Sequence, residues 1–201
     1  MTFVRRGALA AVSVIAALAI PAAASAHRQW LLPSATVLSG NDPWISVDAA
    51  VSHDLFYVDH VPMRTDGITV TNPDGSKGEI KNASTGKYRS TFDVQLAQPG
   101  TYKIANVGEG VGASYKLGAE TKRWRGTAAE LATAIPKEAT EVKITENARR
   151  VETFATRGAP TKDALKLTGR GLELEPVTHP NDLVASEPAT FKLMLDGKPA
   201  A

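Results

Sequence analysis

The chain contains four histidines, His27, His53, His60 and His179, and no cysteine. Thiolate metal ligands, cysteine nucleophiles and iron–sulfur clusters are therefore excluded. No two histidines are four residues apart, as they are in the H-E-x-x-H motif. All four lie at predicted strand ends or turns, where a rigid scaffold usually carries its binding residues.

His27 directly follows Ala24-Ser25-Ala26, which has the A-x-A pattern of a signal-peptide cleavage site. Arg5 and Arg6 precede an apolar stretch over residues 8–20, as expected of an export signal. We predict that residues 1–26 are a signal peptide and that the mature protein is periplasmic and does not span the membrane. The alternative is an uncleaved N-terminal anchor.

Cleavage after Ala26 would give His27 a free α-amino group beside its imidazole. The amine and Nδ1 of one residue close a six-membered chelate ring. One further histidine would make three nitrogen ligands, a set that suits Cu(II), Ni(II) or Co(II). We therefore predict His27 as a metal ligand; the alternative is that cleavage merely happens to leave a histidine in first position.

His53-Asp54 and Asp59-His60 bracket four apolar residues, Leu55-Phe56-Tyr57-Val58. On one continuous strand, His53 and Asp59 would share one face, and Asp54 and His60 the other. The two histidines would then bind one ion together only if a bulge or turn intervened. We expect one of them to bind metal, with Asp59 as a further ligand or as a carboxylate that orients the ring. The alternative is a solvated strand end.

His179 lies in Thr178-His179-Pro180-Asn181-Asp182. The proline disfavours the helical conformation at His179, and Asn181 and Asp182 are typical turn residues. We treat His179 as a further candidate metal ligand, and the alternative is a structural turn.

The hydrophobic pattern predicts an all-β fold of the immunoglobulin-like or carboxypeptidase-regulatory-like β-sandwich type. The predicted strands run over residues 34–38, 44–51, 68–71, 78–81, 88–96, 101–107, 113–117, 142–145, 149–156, 172–176 and 190–195. Asn72-Pro73-Asp74-Gly75 and Gln98-Pro99-Gly100 each predict a β-hairpin. Thr127 and Glu130 form a capping box that predicts a short helical insertion over residues 128–134.

We predict a β-sandwich domain over residues 27–168 and the start of a second β-sandwich over residues 169–201. The Asp196-Gly197-Lys198-Pro199 turn leads out of a strand near the end of the chain, so we expect this second domain to be incomplete. The alternative is that residues 172–195 complete the first sandwich. Two strands alone cannot bury a core.

The charge balance excludes an obvious nucleic-acid-binding role. Of 23 basic residues two lie in the signal peptide, so 21 remain against 21 acidic residues. No basic run is interleaved with aromatic residues. The chain also lacks a G-x-S-x-G motif and a glycine-rich phosphate loop, so we expect no catalytic activity.

Several segments together resemble a large bacterial family of exported β-sandwich proteins of unknown function. They are residues 26–33 (Ala-His-Arg-Gln-Trp-Leu-Leu-Pro), 88–90, 99–102, 122–126 and 172–183. The family is often labelled the periplasmic component of cobalt/nickel uptake systems, and its members typically continue beyond the Gly-Lys-Pro turn. The resemblance implies metal-binding roles for His27 and His179, whereas His53 and His60 are added from their chemistry.

These observations predict an exported, non-catalytic protein that binds nickel, cobalt or copper and serves an inner- or outer-membrane metal transporter. One alternative is a metal-free module that binds a cell-envelope partner. Another is a copper protein with an N-terminal histidine brace.

Overall fold

The computed structural model describes residues 27–200. The predicted signal peptide lies outside the described residues. Strands contain 52% of the described residues, which confirms the all-β sandwich. No helix among the described residues is long and apolar enough to cross a membrane.

The first sheet contains β1 (Arg28–Pro33), β3 (Trp44–Ser52), β4 (Val61–Pro62), β7 (Lys81–Thr85) and β8 (Ser90–Gln95). Its order is β1-β3-β8-β7, and β4 pairs with the end of β3. The predicted strand over residues 44–51 is confirmed as β3, in which Ile45, Val47 and Ala49 are buried; the alternation ends at Ala50, which is buried as well. Residues 28–33 are not among the predicted strands, but they form β1, which pairs with β3 along its whole length.

The second sheet contains β2 (Val37–Leu38), β5 (Ile68–Thr71), β6 (Lys77–Gly78), β9 (Gly100–Leu117), β10 (Glu120–Gly126) and β11 (Thr140–Arg157). Its order is β2-β11-β9-β5-β6, and β10 pairs with β9. The two long strands β9 and β11 each join two segments that the sequence predicted as separate strands. The strands continue through residues typical of turns, namely Gly108, Gly110 and Gly112 in β9 and Asn147 in β11. The hairpin at residues 72–75 is confirmed by the pairing of β5 with β6.

The core lies between these two sheets. Phe92, Val94 and Leu96 contribute to it from the side of the first sheet. Tyr102 and Ile104 contribute from the second sheet. The prediction of a hairpin at Gln98-Pro99-Gly100 was wrong, because β8 pairs in the first sheet and β9 in the second. The connection therefore crosses the sandwich, and turn residues alone do not distinguish a crossing from a hairpin.

The predicted helix is confirmed as α1 (Ala128–Ala134), with both hydrogen bonds of the Thr127–Glu130 capping box present. A 3₁₀ turn, Asp163–Leu165, precedes a third sheet of β12 (Leu172–Pro176), β13 (Phe191–Leu195) and β14 (Lys198–Pro199). The division of the chain at residue 168 into two domains remains a prediction.

Candidate metal-binding site

Three histidines meet at the end of β3. Arg28 of β1 is opposite Ser52, and Val61 of β4 is opposite Val51 on the other edge of β3. His27 just precedes β1, His60 just precedes β4, and His53 directly follows β3. The pairing registers of three strands thus place residues that are far apart in sequence at one corner of the first sheet.

The three rings lie within contact distance of one another. The ring centroids of His27 and His60 are 3.9 Å apart, and those of His27 and His53 are 4.8 Å apart. The centroids of His53 and His60 are 5.5 Å apart. This cluster, His27, His53 and His60, is called the three-histidine cluster below.

Residues 53–60 are not one continuous strand, and the intervening turn that the sequence left open is present. They form the turn between β3 and β4, in which Phe56 adopts a positive φ of 66°. A turn reverses the chain, so the period-two rule that separated His53 from His60 does not apply across it. Both histidines therefore contact His27.

Two contacts with buried groups hold this turn in place. The indole nitrogen of Trp30 donates to Ser52 Oγ at 2.7 Å, and Ser52 Oγ donates to the carbonyl of Asp54 at 2.5 Å. The ring of Phe56 packs edge-on against Trp30, with centroids 5.5 Å apart. Leu55, Phe56, Tyr57 and Val58 remain exposed beside the cluster.

Asp59 contacts His53 twice. Its Oδ1 accepts the backbone N–H of His53 at 3.2 Å, and its Oδ2 lies 3.2 Å from His53 Nδ1. These contacts, led by the backbone hydrogen bond, hold the pKa of Asp59 below its ordinary value. An ionised carboxylate can only accept hydrogen bonds, so this contact favours the tautomer of the neutral imidazole in which Nδ1 carries the proton and Nε2 has the lone pair.

His179 is placed in a different environment. It is 8% exposed, and its Nε2 lies 3.0 Å from the carbonyl of Thr161 and 3.1 Å from Thr101 Oγ1. Its Nδ1 accepts the N–H of Asn181 at 3.1 Å. Because both ring nitrogens have partners, this geometry leaves none for a metal ion, and it agrees with the structural-turn alternative.

The three-histidine cluster does not hold its donors in coordination geometry as the side chains stand. Across residues 27–200, no three His, Asp or Glu side chains are placed so as to hold one metal ion. The reason is visible at His27 and His60, whose ring planes are stacked at 7° to each other. Parallel stacked rings cannot aim their nitrogens at one point, so ligation requires the exposed ring of His27 to rotate.

The donor set itself fits a transition metal of intermediate softness. It contains three imidazoles, one of them with Nε2 free through its contact with Asp59. Cleavage before His27 would add an α-amine and bring the nitrogens to four. Rotation of an exposed side chain takes place on the picosecond-to-nanosecond timescale, so the stacked arrangement is no obstacle to binding.

An all-β sandwich with a histidine cluster at one corner is the class of protein that this fold and site define. Residues 24–201 match the family described as Domain of unknown function (DUF4198), and the chain belongs to that family. Comparisons with curated proteins and with solved structures found no match.

Proposed function

We propose that this chain is an exported metal-binding protein, auxiliary to the uptake of nickel, cobalt or another transition metal, and not an enzyme. The main support for metal binding is that the ring centroids of His27, His53 and His60 lie within 5.5 Å of one another. In this proposal the metal is cargo, which a periplasmic carrier presents to a membrane transporter.

The α-amine of His27 completes the ligand set after export. In the full-length chain the same nitrogen is a peptide amide and is a poor ligand near neutral pH. An α-amine has a reference pKa near 8, so a metal ion displaces its proton easily. Metal binding in the periplasm is thereby coupled to removal of the signal peptide.

Calorimetry with Ni(II), Co(II) and Cu(II) tests the proposal. Protein beginning at His27 is compared with protein carrying one extra alanine before His27, and both are compared with His60→Ala. We expect the extra residue to weaken binding at least tenfold, because it removes the amine from the chelate ring, and His60→Ala to weaken it further. Equal affinity in all three proteins, or no binding in any, would contradict the proposal.

A copper protein with a histidine brace is a second candidate. The possible four-nitrogen set supports it, since Cu(II) binds such ligands most tightly among the first-row divalent ions. Copper-dependent consumption of peroxide by the His27-initiated protein would favour this candidate, and redox-silent metal would favour the carrier.

A further inference from the structure

Asp59, the next-to-last residue of the turn over residues 53–60, contacts both the backbone and the ring of His53. Of the three cluster histidines, His53 is the one whose ring is held by a carboxylate. The contacts of Asp59 on both the backbone and the ring of His53 orient the imidazole relative to the chain.

We propose that Asp59 is a positioning residue that holds His53 in the tautomer with Nδ1–H, so that Nε2 is the metal ligand. The proposal rests on the metal-binding function proposed above. It assigns Asp59 a place behind the imidazole instead of in the metal's own ligand set. Both carboxylate oxygens take part: Oδ1 accepts the backbone N–H of His53, and Oδ2 accepts from Nδ1 of its ring.

The geometry explains why a carboxylate is needed at this position. The backbone N–H of His53 is always a donor, so one oxygen of residue 59 must accept from it. In Asp59 the second oxygen then accepts from Nδ1. In an asparagine the single oxygen would serve the backbone N–H, and the amide nitrogen would face Nδ1 as a donor. Nδ1 would have to accept, and the proton would move to Nε2.

Asp59→Asn is therefore a near-isosteric change with opposite hydrogen-bonding polarity. The matched control is Asp54→Asn, which removes one negative charge directly beside His53. Asp54 pairs with Arg28 at 3.4 Å on the exposed surface. The two variants thus separate the loss of charge near the site from the loss of ring orientation.

The first measurement needs no metal. Nitrogen-15 NMR of the histidine rings at pH 8 distinguishes the two neutral tautomers. We expect Nδ1–H at His53 in the wild-type protein and in Asp54→Asn, and Nε2–H in Asp59→Asn. The same tautomer in all three proteins would overturn the proposal, whether or not the protein binds metal.

The second measurement is Cu(II) binding to protein that begins at His27, by competition titration and pulsed EPR. We expect Asp59→Asn to lower the affinity about 10–100-fold, the usual effect of losing a partner behind a ligating histidine. We expect Asp54→Asn to lower it less than threefold. The EPR signal should show one imidazole nitrogen fewer in Asp59→Asn.

The outcomes distinguish failure of the positioning role of Asp59 from failure of the proposed metal-binding function. No Cu(II), Ni(II) or Co(II) binding by the wild-type protein would overturn the metal-binding function, while the NMR result would still decide the role of Asp59. Wild-type binding with unchanged affinity in Asp59→Asn would overturn the positioning role alone. A lower affinity with an unchanged number of imidazole nitrogens would also overturn it, because Asp59 would then be a ligand.

Discussion

At the scale of single residues, the histidines differ in their burial and in their hydrogen-bond partners. His53 has a half-exposed side chain, with 51% of its surface accessible, whereas His179 is 8% exposed. A buried imidazole must have partners for its polar atoms, because an unsatisfied buried group costs about 1–3 kcal/mol. His179 satisfies both nitrogens with Thr161 and Asn181 and joins the segment after β12 to the sandwich.

Replacing His179 with leucine should therefore reduce stability and leave metal binding intact. The carbonyl of Thr161 and the N–H of Asn181 would lose a partner, so we expect a loss of about 1–3 kcal/mol in the free energy of unfolding. Urea denaturation measures this loss, and calorimetry measures metal affinity. His60→Ala is the opposite control, with stability nearly unchanged and affinity lost. If His179→Leu lowered the metal affinity, the structural role assigned to His179 would be wrong.

At the scale of elements, the buried acid Glu173 is one of the groups that link the third sheet to the second. Glu173 in β12 is 4% exposed and accepts the N–H groups of Thr168 and Gly169 at 2.8 and 2.7 Å. Its carboxylate also lies 3.5 Å from the guanidinium of Arg150 in β11. Burial alone would raise the pKa of Glu173, but these hydrogen bonds and the positive charge outweigh it and hold the pKa below its ordinary value.

This lowered pKa predicts a pH-dependent contribution to stability. A folded-state pKa below the unfolded value stabilises the fold at a pH above the unfolded pKa, and the contribution is lost as the pH falls through the folded pKa. We expect Glu173→Gln to cost about 1–3 kcal/mol at pH 7 and clearly less at pH 3. Urea denaturation at both pH values measures the difference.

Glu175→Gln provides the matched comparison on the same strand. Glu175 pairs with Lys192 at 3.3 Å, and 39% and 59% of the two side chains, respectively, are exposed. Exposed ion pairs contribute about 0–1 kcal/mol, so this variant should stay close to the wild-type protein. An equal cost of Glu173→Gln at pH 7 and pH 3 would rule out an ionised Glu173 as the source of the stability.

At the scale of the whole molecule, the topology depends on the crossing from β8 to β9. Gly100 begins β9 with a φ of +119°, a conformation that residues with a side chain rarely adopt. A Cβ at this position would lie 2.7 Å from Thr161 Oγ1 and 2.8 Å from Pro73 Cβ. The chain can enter the second sheet here because residue 100 has no side chain.

Gly100→Ala should therefore destabilise the protein more than the same change in an open turn. Gly75 also has a positive φ, +83°, but a Cβ there would meet no atom within 4 Å. We expect about 1–2 kcal/mol for Gly75→Ala from backbone strain, and at least about 1 kcal/mol more for Gly100→Ala from the added overlap. Thermal and urea denaturation of both variants measure this difference. Equal costs would mean that Thr161 and Pro73 move aside freely.

Local patterns predicted most of the elements. The strand β3, the Asn72–Gly75 turn and the Thr127–Glu130 capping box each depend on residues close in sequence, and each is confirmed. The crossing at Gln98-Pro99-Gly100 was predicted wrongly, because whether a turn joins paired strands depends on partners far away in the chain. The sequence left open whether residues 53–60 form a strand or a turn, because Leu55, Phe56, Tyr57 and Val58 are apolar like strand residues although they are exposed.

The sequence by itself determined the all-β character, the donor types available to a metal and the candidate residues, because these follow from residue types and short-range patterns. Only the tertiary structure decided which histidines meet. The pairing of β1 and β4 on opposite edges of β3 brings together His27, His53 and His60, which lie up to 33 residues apart in the chain. The tertiary structure also buries His179 and provides hydrogen-bond partners for both of its ring nitrogens.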